Sequence, residues 1–80
     1  MPTPYRPNDQ QLRDRRDVGA RLYSLRRQAN LTQEQLGEHV RMDRRTIGRI
    51  ENGLVAPTLD QLSAVARAIG VPLWRLFRDE

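Results

Sequence analysis

The sequence predicts an all-α fold, a compact bundle of about five short helices. Three observations carry that expectation. At three places a polar residue is followed three positions later by glutamine: Asn8 with Gln11, Thr32 with Gln35, and Thr58 with Gln61. At that spacing a cap side chain and the third helical residue satisfy each other's free backbone N–H groups. Behind each cap, apolar residues recur three and four apart, giving one apolar side in a charged surround. Asn30, Gly53 and Gly70 then fall where the runs stop, and these residue types take the left-handed conformation after a helix at little steric cost.

Taken in order, residues 1–7, MPTPYRP, are too rich in proline for a regular helix and are expected to be a flexible N-terminal arm ahead of a single domain over residues 8–80. Asn8 opens a first helix whose buried stripe is Leu12, Val18, Leu22, Leu25 and Ala29. Near its start Arg13, Arg15 and Arg16 alternate with Asp9, Asp14 and Asp17, the pattern of a solvated face. Thr32 opens a second helix, with Leu36 and Val40 on its inner side, that runs to about Val40. Arg41, Met42 and Asp43 break the pattern, and the Asp43 carboxylate is placed to cap a third helix with Ile47 and Ile50 inward. After the loop Leu54–Pro57, Thr58 opens a fourth helix expected to bury Leu59, Leu62, Val65, Ala66 and Ile69. Pro72 is expected at the first position of a short fifth helix, PLWRLFRDE.

With 80 residues the chain holds one small core. Fourteen basic residues against ten acidic give a net charge of +4 and a pI near 11.0, which favours an anionic partner. Every basic residue is arginine, a bias that suits a GC-rich genome as much as a function. The absence of cysteine leaves no disulfide framework and no thiolate metal site, so nothing points to secretion. The N-terminus has neither a signal-peptide core nor a membrane span, and a cytoplasmic location is expected, without a membrane partner. A single histidine, His39, without partners at metal spacing, and the lack of any paired carboxylates, activated nucleophile or phosphate-cradling loop argue against an enzyme, a cofactor or a metal site.

On a helical wheel, the side of the third helix opposite Ile47 and Ile50 carries Arg45, Gly48, Arg49 and Asn52, with Arg44 at the edge. An apolar back and an arginine front, braced by a shorter helix across a tight turn, suit insertion into a DNA major groove. Gly48 there suggests either close approach of backbone to DNA or a merely tolerated glycine.

The segments LTQEQL, RRTIGRIENG and PTLDQL resemble the helix-turn-helix of the Cro/phage-repressor class, also called the xenobiotic-response-element family of bacterial regulators, over about residues 18–77. The resemblance implies a lambda-repressor-like DNA-binding domain with the helix-turn-helix at helices 2 and 3. It assigns base contacts to Arg44, Arg45 and Arg49, and a phosphate contact to Gln33 at the start of helix 2. It further implies a half-buried pair between Arg26 and Glu51, and core positions at Leu73, Leu76 and Phe77. Thr46 on the flank and Asn52 at the helix end look like further phosphate contacts. The chain departs from the family's usual pattern at Gly37, where alanine is usual and a glycine still lets the helices approach. At Arg41 glycine is usual in the turn, and at Trp74 a polar residue is common. Trp74, with Leu54 and Val55, is a candidate dimer surface.

The expected function is therefore a sequence-specific double-stranded DNA-binding transcriptional regulator. It is expected to act as a homodimer on a palindromic operator and to regulate by occupancy or through contact with RNA polymerase or a partner protein. An antitoxin or a protein-interaction module of the same fold is the alternative, and the arginine front argues against the latter.

Overall fold

The computed structural model describes residues 4–79. It contains four α-helices, α1 (Asp9–Gln28), α2 (Gln33–Val40), α3 (Arg44–Glu51) and α4 (Leu59–Ile69), followed by a single 3₁₀ turn, Leu73–Leu76, where a fifth short helix was expected. No strand occurs among the described residues. Of the expected N-terminal arm, residues 1–3 lie outside the described residues; Pro4–Pro7 has no regular structure, and the Tyr5 hydroxyl donates to Gln11 Oε1 at 3.3 Å.

Local chemistry sets the helix starts. The three capping boxes form, with Asn8, Thr32 and Thr58 side chains accepting from Gln11, Gln35 and Gln61 N–H and each glutamine returning a bond to its cap residue. Asp43 accepts from Arg45 N–H at 2.8 Å and opens α3. Left-handed residues follow the helices at Asn30 (φ 59°), Arg41 (φ 57°), Gly53 (φ 71°) and Gly70 (φ 92°). Pro72, expected inside the last helix, instead precedes it in an extended conformation with ψ 152°.

One core holds the elements together: Leu22 and Leu25 of α1, Leu36 of α2, Ile47 and Ile50 of α3, Leu62, Val65 and Ala66 of α4, and Leu76. Of the residues expected inside it, Leu12 and Ala29 of the α1 stripe are half-buried and belong to neither the core nor the side chains packed on it, and two more are exposed. Phe77 is 50% exposed because the last turn is 3₁₀ rather than α-helical. With three residues per turn, Leu73 and Leu76 share a face and Phe77 falls off it, whereas at 3.6 per turn all three would align. Leu59, 64% exposed, has the right periodicity, but it is the first residue of α4, at the end of the stripe.

Two glycines set the helix approaches that position the site. Gly19, in the middle of α1, lies so close to α3 that a Cβ there would collide with the carbonyl oxygens of Ile50 and Glu51. Gly37 has the same relation to the Met42 carbonyl across the turn, while Met42 N–H donates back to Gly37 O at 2.9 Å. A methyl group there would require the turn to shift, so the glycine does more than permit approach.

Candidate nucleic-acid interface

The third helix is pinned from behind and open in front. Ile47 and Ile50 are buried, and Arg44, Arg45 and Arg49 are exposed with no ion-pair partner among the described residues. At about 100° per residue, Arg45 and Arg49 straddle the direction opposite the core, and Asn52 stands beside them, also exposed. Arg44 lies toward α2, where it lines an open groove of about 570 Å³ together with Arg27 and Gln33. Thr46, on the other flank, is half-buried.

Behind this face a buried ion pair fixes α3 against α1. Arg26 Nε donates to Glu51 Oε2 at 2.6 Å and Nη2 to Oε1 at 3.0 Å, while Nη1 donates to the Leu31 carbonyl at 2.7 Å. Residue exposures of 5% and 9% leave neither side chain in water. The hydrogen bond to Glu51 raises the Arg26 pKa above its already high ordinary value, against the opposing effect of burial, so the guanidinium stays charged. Arg26 and Arg27 also lie over the Tyr23 ring, 5.4 and 5.6 Å from its centroid.

Gln33 extends that network to the front. Its Nε2 donates to Glu51 Oε1 at 3.0 Å, and its carboxamide lies 3.5 Å from the point where a Cβ on Gly48 would sit. The space beside Gly48 is thus occupied by Gln33 rather than left open, a link that residue spacing does not reveal. What the α2 start offers an anion is the N–H groups of Gln33 and Glu34, since the capping box takes that of Gln35.

The residues expected to form a dimer surface differ in exposure. Trp74 is 42% exposed, with the Arg75 and Arg78 guanidinium groups 5.9 and 5.3 Å from its ring centroid. Leu54 is 67% exposed, and Val55 is half-buried against the core. Among the described residues no group of histidine and carboxylate side chains has the arrangement of a metal site, and no helix is long and apolar enough to cross a membrane.

Comparison with known proteins places the fold in a family. A family model described as helix-turn-helix matches residues 22–73, from the middle of α1 to the start of the 3₁₀ turn. An immunity repressor protein of Bacillus phage phi105 is 35% identical over 63 residues, which are 79% of this chain and 44% of the repressor, so the chain spans less than half of that relative's length. Among solved structures, the restriction-modification controller protein C.AhdI from Aeromonas hydrophila superposes with a TM-score of 0.79 at 31% identity, covering 81% of this chain and 98% of that one. The clp gene regulator ClgR from Corynebacterium glutamicum gives 0.76 at 26% identity, over 78% of this chain and 66% of its own.

Proposed function

The chain belongs to the helix-turn-helix family of DNA-binding transcription regulators, and we propose that it is a sequence-specific regulator that reads the major groove with α3. The observation that carries this reading is the front of α3, where Arg45 and Arg49 project from a helix whose other side is sealed into the core. A guanidinium fork matches guanine O6 and N7, so the half-site contains G·C pairs read by these two arginines. Arg44, on the edge, reaches a neighbouring base or the backbone. Thr46, Asn52 and the first turn of α2 at Gln33 hold the phosphates that fix the register.

One recognition helix covers few base pairs, and the regulator acts as a homodimer on a palindromic operator. Two half-sites about 34 Å apart then place both α3 helices on one side of the duplex. The dimer surface includes Trp74 and Leu54, two exposed apolar side chains that water solvates poorly, with Val55 at its margin. Bound near a promoter, the protein regulates by blocking RNA polymerase or by touching it.

Selection of bound sites from a random DNA pool tests this. An inverted repeat with guanines at fixed positions in each half is expected; a pool that shows no enrichment after repeated rounds would refute sequence-specific reading.

A further inference from the structure

The basic residues on α3 do not complete the charge around it. The loop that follows, Leu54 to Thr58, carries no charged side chain, so beyond Arg49 in the last turn the C-terminal end of α3 adds only the uncharged Asn52. An arginine from elsewhere in the chain reaches that end. Arg16, in the part of α1 that precedes the family match, packs its backbone and stem on Gly53: a Cβ at Gly53 would lie 3.0 Å from Arg16 Cα and 3.1 Å from its N, and closer still to its Cγ.

Gly53 is buried while Arg16 is exposed, so the exposed part of Arg16 is the end beyond the covered stem, the guanidinium. The positions one turn away on α1 are Leu12, Arg13, Gly19 and Ala20, none of them acidic, and Arg16 has no ion-pair partner among the described residues. Its neighbour Arg13 is different, with Asp9 and Asp17 one turn away on either side and a 3.0 Å bond from Nη2 to Gln10 Oε1.

We propose that Arg16 is a DNA-phosphate contact that closes the footprint at the C-terminal end of α3, an assignment that rests on the reading of α3 given above. A positive charge beside the last turn of α3 would also favour the helix dipole, which affects folding and not DNA. The two roles separate in a salt titration.

The probe is a duplex selected by the unaltered protein, with a random duplex of equal length beside it. Arg16→Gln is expected to weaken both by the same factor and to flatten the dependence of log K on log salt by about 0.9, one phosphate's worth. Arg13→Gln should leave the slope unchanged, and Arg16→Lys, which keeps the charge, should restore it. A slope in Arg16→Gln equal to that of the unaltered protein, with binding lost in Arg45→Gln, overturns the Arg16 assignment alone. Undiminished binding in both Arg45→Gln and Arg49→Gln overturns the reading of α3 on which it rests.

Discussion

Arg26 of α1 and Glu51 of α3 are joined at two points, 2.6 and 3.0 Å, and both are shielded from water. Such a pair adds little over a well-packed apolar substitute, but losing one partner strands the other charge without solvent. Arg26→Ala should therefore destabilise the fold by about 3–5 kcal/mol, the range for an orphaned buried charge. Arg27, exposed and bonded only to the Tyr23 hydroxyl, should lose well under that when replaced by alanine. Urea denaturation distinguishes them; equal midpoints for the two variants would refute a structural role for the pair.

Gly37 and Arg41 form the turn between α2 and α3 as a linked pair. Arg41 holds a left-handed conformation that costs a side-chain-bearing residue roughly 1–2 kcal/mol, whereas Gly37 leaves room for the Met42 carbonyl. Opposite signs follow. Arg41→Gly should hold or raise the melting temperature, because glycine adopts that backbone freely. Gly37→Ala should lower it by an overpacking penalty of about 1–3 kcal/mol. A Gly37→Ala variant as stable as the unaltered protein would show that the turn relaxes to admit a methyl group.

How much of this was legible in the sequence depended on the range of the interaction. The cap pairs Asn8/Gln11, Thr32/Gln35 and Thr58/Gln61 act within one turn, so their spacing was enough. The left-handed conformation at Asn30 was read for the same reason. Leu59 was misplaced because periodicity names a face and not what lies against it, and Phe77, put in the core by the resemblance, was misplaced because a 3₁₀ turn rotates it off the face of Leu73 and Leu76. Gly19 was missed, although a lone glycine in the middle of a 20-residue helix was itself a signal, since it costs about 1 kcal/mol unless something approaches closely. The arginine front of α3 was readable from its helical wheel. The bond from Gln33 to Glu51 and the packing of Arg16 on Gly53 were not, because each joins residues far apart in sequence.

Gly48 offers a stabilising substitution. The nearest atoms to a Cβ there are those of the Gln33 carboxamide, at an ordinary contact distance of 3.5 Å, and φ at this position is helical. Gly48→Ala should stabilise the fold by about 1 kcal/mol through helix propensity, seen as a higher thermal midpoint. A fall in the midpoint would mean that the Gln33 side chain has no freedom to accept the methyl group.

Trp74 tests the dimer. Replacing an exposed indole by serine removes apolar area from the proposed contact while Leu76, the buried residue of the last turn, stays in place. Sedimentation equilibrium of Trp74→Ser should show a weaker self-association than the unaltered protein, by tenfold or more if the ring is a central anchor, for which about 1.4 kcal/mol suffices. Identical association constants would place the interface elsewhere.

The most direct measurement is the ratio of affinities for a selected duplex and a random duplex at one fixed salt concentration, taken for the unaltered protein, Arg45→Gln and Arg49→Gln. Base reading by these two side chains predicts that each substitution erodes the ratio by about 1–3 kcal/mol of discrimination and relaxes the preference at one position of the half-site. If both variants bind more weakly but keep the full ratio, the arginines hold only the backbone, and α3 does not read sequence through them.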